Sequence, residues 1–189
     1  TPCSRPENLK HMSETLSAPF EWYVALDKKV QDKVQARKWV NNPKVPTYIY
    51  APDITGNSGN GLRNFLLDIV MTKAKEDDWI YFLDDDNVVH ENLLPIFNQK
   101  RVRGADMLLV PQVTKEGNYR LMPPLQPKVG VIDSAMMVLR AGHVQSLRWH
   151  PTEYSADGIY AEEASKKAKD LSNSLKNIAK RASKIFFGI

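Results

Sequence analysis

The chain has 189 residues, 42% of them hydrophobic and 25% charged, with a formal net charge of +4. That length supports one domain with a real core, the composition is ordinary for a globular protein, and no apolar run approaches the roughly 20 residues of a membrane-spanning helix. The charge does not point to nucleic acid: seven Lys/Arg against three acids between Tyr160 and Ile189 account for the whole excess, so it belongs to the tail and leaves the rest neutral.

Thr1-Pro2-Cys3-Ser4-Arg5-Pro6 reads as the end of a strand opening into a loop, followed by a helical stretch with Leu9, Met12 and Leu16 in register. Phe20 to Asp27 is rich in aromatic and branched residues and predicts a buried strand ending in an acid. Gln31 to Val40 predicts a short amphipathic helix stopped by Asn41-Asn42-Pro43, and Thr47 to Tyr50 the next strand. Asp53 to Gly61, with Gly56, Asn57, Gly59 and Asn60, is a flexible loop before a helix over Leu62 to Ala74 that turns Phe65, Leu66, Ile69 and Val70 inward. Trp79 to Leu83 is a continuous apolar strand, ended abruptly by Asp84-Asp85-Asp86-Asn87. Glu91 to Phe97 is helical again, and Met107 to Val110 is a strand. A hairpin or loop excursion over Gln112 to Lys128 turns at Gly117-Asn118. Val129 to Leu139 predicts a strand interrupted by Asp133. A short helix over Ala141 to Leu147, a polar loop from His150 to Asp157 and a long final helix complete the chain.

Strands alternating with helices of these lengths predict an α/β fold, built of right-handed βαβ units around a mainly parallel central sheet flanked by helices. Ligands bind outside the carboxyl ends of such strands, and Asp27 and Asp84 to Asn87 fall at those ends. The single cysteine, Cys3, cannot form an internal disulfide. It fits a reducing compartment and, with no secretory signal visible, a cytoplasmic location is expected.

The triple aspartate carries the strongest chemical signal. Adjacent carboxylates raise one another's pKa unless a positive charge offsets them, and a hard divalent ion such as Mg²⁺ or Mn²⁺ does so while leaving positions for phosphate oxygens. On spacing alone this reading stands level with a solvated acidic turn capping the helix near Glu91. The Gly/Asn loop leading into Gly61-Leu62-Arg63-Asn64 can offer backbone N–H groups and a guanidinium to phosphate, although it lacks the P-loop and dinucleotide fingerprints.

The order of these features resembles the GT-A (Rossmann-like) glycosyltransferases. Thr-Pro-Cys-Ser-Arg-Pro, a strand ending in Asp27, Gly-Leu-Arg-Asn, Tyr-Phe-Leu-Asp-Asp-Asp-Asn and Gly130-Val131-Ile132-Asp133-Ser134-Ala135 are similar to the pattern of the inverting β1,3-glucuronosyltransferases. Small virus-encoded and bacterial GT-A domains look alike too. The resemblance spans 1–163 as a glycosyltransferase domain, leaving 164–189 as a basic amphipathic helix. It implies a UDP-sugar donor, a glycan or glycoprotein acceptor and Mn²⁺ or Mg²⁺. It matches Thr1, Pro2 and Arg5 to the loop lining the nucleotide pocket, Asp27 to the acid reading the uracil edge, and Arg63 to the arginine near ribose and phosphate. Asp84 and Asp85 match the acids near the ribose, Asp86 (with Asp84) the metal ligand, and Asp133 an acid near the reacting sugars. The catalytic base falls to Asp157 or Glu162, whose alternatives are a helix N-cap and a first-turn acid.

The glucuronosyltransferase histidine near the C-terminus has no counterpart, nor is a basic pocket for a glucuronate carboxylate evident, so an uncharged hexose or deoxyhexose donor is expected. Trp149, His150 and Tyr154 are either an acceptor platform or surface packing. The tail packs on the domain or leads into another, with contact to an anionic membrane the lesser reading. A nucleotidyltransferase with a similar metal site and a non-catalytic carbohydrate-binding module are the competing functions.

Overall fold

Trp22–Leu26 alternates bulky side chains to both faces, and both faces are covered, which is the setting in which strands pair in parallel. In the computed structural model of the protein, which describes residues 1–40, 42–91, 93–97, 104–114, 116–124 and 126–168, this strand is β2. It is the centre of a three-stranded parallel sheet ordered β1-β2-β3, with β1 Pro2–Cys3 and β3 Thr47–Tyr50. The register sets Pro2 opposite Ala25 and Val24 opposite Ile49.

The connections are helical. Helix α1 (Leu9–Thr15) buries Leu9 and Met12, and Leu16 at its end, as their spacing predicts. Helix α2 (Lys33–Trp39) is capped by Asp32, whose carboxylate accepts from Gln35 N at 2.7 Å, an arrangement worth about 1 kcal/mol. Asn42 then donates to the last α1 carbonyls, at 2.5 Å to Ser13 O and 3.2 Å to Leu16 O. Helix α3 (Asn60–Val70) packs Leu62 and Leu66 on Ala25 of β2. Its inward face differs from the expected one: Leu62, Leu66 and Leu67 are buried, whereas Phe65, Ile69 and Val70 are half-buried.

These elements, with residues Leu83–Glu91 and Trp149–Tyr154, form one compact unit; the described residues of 74–82, 93–148 and 155–168 form a second. The second holds β4 (Trp79–Tyr81), the short helix α4 (Leu93–Phe97), β5 (Met107–Leu109), the hairpin strands β6 (Gln112–Val113) and β7 (Tyr119–Leu121), β8 (Met137–Arg140), α5 (Ala141–Val144) and α6 (Ala156–Lys167). The hairpin turns at Gly117, as the sequence predicts, with φ of 83°. The principal sheet is ordered β4-β8-β5, with β8 antiparallel to both neighbours. Strands β4 and β5 therefore run the same way, as a βαβ unit requires, but the later strand is inserted between them.

That insertion corrects the strand expected over Val129 to Leu139. Residues 129–133 are turn and loop, Ser134–Met136 is a short 3-10 turn capped by Asp133, and the strand proper starts at Met137. Its residues Met137, Val138 and Leu139 are fully buried, each large apolar side chain contributing about 1.5–3 kcal/mol. The α/β class, with a helix-flanked parallel sheet, holds. Among the described residues no helix is long and apolar enough to cross a membrane. Of the amphipathic tail, residues up to Lys167 complete α6 and Ala168 is extended; Leu171, Leu175, Ile178, Ala182 and Ile185 lie outside the described residues.

Candidate functional site

Parallel strands bring their carboxyl ends to one edge, so the residues after Cys3 and Leu26 meet in the first unit. There the backbone of Ser4 and Arg5 turns around the Asp85 carboxylate. Its Oδ2 accepts from Ser4 N (2.7 Å), Ser4 Oγ (3.1 Å) and Arg5 N (2.8 Å), and its Oδ1 from Arg5 Nε (3.0 Å) and Nη2 (2.5 Å). Asp85 is 4% exposed, so this is a satisfied carboxylate inside the protein rather than a ligand presented outward. Hydrogen bonding to Asp85 raises the pKa of Arg5 further. The same guanidinium reaches Asp86 Oδ2 at 3.0 Å, and the side chains of Arg5 and Asp86 are 49% and 50% exposed. Asp86 also accepts from Asn87 Nδ2 at 2.7 Å.

Asp84 is paired with Arg63. The resemblance matches Arg63 to an arginine near ribose and phosphate; in the structure its side chain is 4% exposed. Nη1 donates to Ser58 O (2.8 Å) and Asn60 Oδ1 (3.0 Å), Nη2 to Asp84, and the guanidinium lies 4.7 Å from the Trp149 ring centroid. Two arginines and two backbone N–H groups thus provide much of the compensation that the sequence reading gave to a divalent cation.

The Gly/Asn loop is fitted tightly to β1. Gly59 has φ of 80°, and a Cβ there would come within 2.7 Å of Pro2 Cβ, so only glycine suits the position. Pro2 is buried and acts as this packing surface, while Thr1 Oγ1 accepts from Trp22 Nε1 at 2.9 Å. Asp27 also serves the loop. Its carboxylate accepts from Lys29 N (2.8 Å), Thr55 Oγ1 (2.7 Å) and Gly56 N (3.1 Å) at 7% exposure. Burial pushes the Asp27 pKa up, but those three donors outweigh it and hold it below the usual carboxylate value. Thr1, Pro2, Asp27, Arg63 and Asp85 are therefore structural supports of the site's edge, and Arg5 and Asp86 are its most exposed charged groups.

The three acids expected near the chemistry, Asp133, Asp157 and Glu162, belong to the second unit. Asp133 is a turn cap, accepting from Ala135 N (3.0 Å) and Gln112 Nε2 (2.7 Å). Asp157, in the first turn of α6, accepts from Ser134 N at 3.2 Å, and Glu162 from Val129 N at 2.9 Å. All three bind the 129–135 segment. Gly158 makes that contact possible, because a Cβ there would come within 2.4 Å of Val129 Cα.

Trp149 is 1% exposed and offers no open face, which removes it from an acceptor platform, whereas Tyr154 is 92% exposed. The sequence reading missed Ser4, Thr55, Asn60 and Asn64, which do much of the positioning in this unit. The two asparagines carried a usable signal: a spacing of i, i+4 on a helix puts them on one face.

For a cation, no three His, Cys, Asp or Glu side chains converge among the described residues. A hard cation commonly takes only one or two carboxylates when phosphate oxygens and water supply the rest; here Asp84 is paired with Arg63 and half-exposed Asp86 with Arg5.

No protein-family model and no curated protein sequence matches the chain. Among solved structures, S. aureus TarS 1–349 is similar with a TM-score of 0.66 at 16% identity, over 89% of this chain and 54% of that one. The same TarS piece in complex with UDP gives 0.63 at 15% identity, again over 89% and 54%. Its complex with UDP-GlcNAc gives 0.64 at 15% identity over 89% and 52%. The chain spans about half the length of these structures, and at such identity the likeness concerns the fold. This chain shares its mixed α/β fold with S. aureus TarS, a protein solved with a nucleotide and with a nucleotide-sugar.

Proposed function

We propose that the chain is a GT-A-type glycosyltransferase domain that moves a sugar from a UDP-sugar to a hydroxyl of a glycan or glycoprotein acceptor, in a divalent-metal-dependent and inverting reaction. The observation that carries the proposal is the Asp85 latch: by consuming Ser4 and one edge of Arg5 it presents a half-exposed guanidinium beside half-exposed Asp86, at the carboxyl ends of parallel strands. A guanidinium beside a carboxylate suits a diphosphate that carries its own cation. The fold likeness to a protein solved with UDP and UDP-GlcNAc supports a nucleotide-sugar donor, and the uncharged sugar of that complex agrees with an uncharged donor here.

In this reading Arg5 neutralises diphosphate charge, and Asp86 with Asp84 holds Mn²⁺ or Mg²⁺. The metal, when bound, supplies Lewis-acid stabilisation of the leaving diphosphate. Asp27, through Thr55 and Gly56, keeps the Gly/Asn loop in shape. Inversion requires a carboxylate to take the acceptor hydroxyl's proton as that oxygen attacks the anomeric carbon opposite UDP. The resemblance gives this role to Asp157 or Glu162, with Asp133 near the reacting sugars.

The test is a thermal-shift panel of UDP and UDP-sugars, with MnCl₂ or with EDTA. Stabilisation grows with occupancy of the native state, so UDP with Mn²⁺ should raise Tm and Asp86→Ala should remove the metal-dependent part. A panel in which no nucleotide moves Tm would reject the proposal.

A further inference from the structure

Asn60 and Asn64 lie one turn apart on α3, and both grip the Trp149–Glu153 segment of the same unit. Asn64 Nδ2 donates to Trp149 O at 2.9 Å while its Oδ1 accepts from Trp149 N at 2.8 Å, so one side chain closes a ring on one backbone residue. Asn60, 1% exposed, donates from Nδ2 to His150 O (3.1 Å) and Glu153 O (3.2 Å), and its Oδ1 accepts from Arg63 Nη1 (3.0 Å). The segment is closed internally by His150 Nδ1, which accepts from Glu153 N at 3.2 Å. Its other buried feature is the Trp149 ring against Arg63.

A guanidinium taken out of water is held only where its donors are met by fixed acceptors. For Arg63 those are Ser58 O, Asn60 and Asp84, with the indole supporting its face. Both asparagines therefore act on Arg63, Asn60 by direct contact and Asn64 by fixing the indole.

We propose that Asn60 and Asn64 are positioning residues for the nucleotide-sugar site: they fasten the Trp149–Glu153 turn to α3, hold the indole against Arg63, and so set the guanidinium that orients Asp84. The proposal rests on the donor-site reading above. Neither asparagine touches Asp84, Asp85 or Asp86, and their effect on the nucleotide runs through Arg63.

The experiment measures UDP affinity by calorimetry with MnCl₂ present, together with near-UV circular dichroism and denaturant unfolding. It compares the wild type with Asn64→Ala, Asn64→Asp and Leu16→Ala. The last removes a buried side chain at the end of α1 and serves as a control for stability alone. A misplacement of about 1 Å can cost on the order of 100-fold at a preorganised site. Asn64→Ala is therefore expected to weaken UDP at least tenfold and to diminish the tryptophan band that Trp149→Phe identifies. Asn64→Asp, which keeps the acceptor for Trp149 N, is expected to fall between it and wild type. Leu16→Ala should bind like the wild type at equal or greater loss of stability. Wild-type affinity in both Asn64 variants, or an equal loss in Leu16→Ala, overturns the proposal. A wild type that binds no UDP rejects the donor-site reading itself, and this proposal with it.

Discussion

Arg63 and Asp84 form an ion pair in which the arginine side chain is 4% exposed and the aspartate 23%. Removing one partner of such a pair strands the other charge and costs about 3–5 kcal/mol, whereas apolar replacement of both is much nearer neutral. Arg63→Leu and Asp84→Leu are each expected to lower the unfolding free energy by about 3 kcal/mol, and the double variant by clearly less than their sum. Urea denaturation of the four proteins closes the cycle. Additive losses would mean that the pair is not coupled.

The neighbouring acids should separate stability from ligand binding. Asp85 takes five donors at 4% exposure, so Asp85→Ala is expected to cost about 3 kcal/mol or more and to loosen the Ser4-Arg5 turn. Asp86 is half exposed, and Asp86→Ala should change stability by no more than about 1 kcal/mol while losing the metal-dependent response to UDP. Denaturation midpoints and the thermal-shift panel together read both.

Asp27 gives a pH dependence of definite sign. Its folded-state pKa is depressed, so the carboxylate contributes stability above its unfolded pKa of about 4, and that contribution is lost as pH falls through the lowered value. Wild type should lose stability relative to Asp27→Asn as pH is taken from about 5 to 2. Unfolding free energies of the two proteins across that range check it, and parallel curves would remove the role given to the Thr55–Gly56 contacts.

Cys3 is fully buried, and burial, helped by the charge of Asp85, pushes its thiol up to about 12. Thiolate is the reactive form, so the native protein should resist Ellman's reagent at about pH 8 and release one equivalent of chromophore once unfolded in guanidinium. Fast reaction without denaturant would show that β1 opens readily.

Local pattern carried the first unit well. Thr47–Tyr50 and the Leu9, Met12, Leu16 stripe were legible because periodicity and burial report on one segment at a time. Pairing was not. An apolar run such as Met137–Leu139 looks the same whichever neighbour it meets, and only the fold decides that it enters antiparallel between β4 and β5. The same limit governs the site. Asp27, Arg63 and the acid triplet stood out as charged residues at strand ends and loops, yet the sequence could not say that Arg63 lies against Trp149, or that Asp85 faces Ser4 and Arg5 rather than solvent. Charge near an apolar run reveals a special environment. Which partner satisfies it depends on residues far away in the chain.

The Asp85 latch joins residues 80 and 81 positions apart, and the Asn64–Trp149 ring joins residues 85 apart. Contacts so distant along a polymer form only after its ends have searched for one another, and they slow folding more than local turns do. On the ribosome, Ser4 and Arg5 have no carboxylate to close upon until residue 85 has left the exit tunnel, and Arg63 has no indole until Trp149 follows. The β2–α3 layer can gather before residue 85 has emerged; the charged edge can be assembled only afterwards.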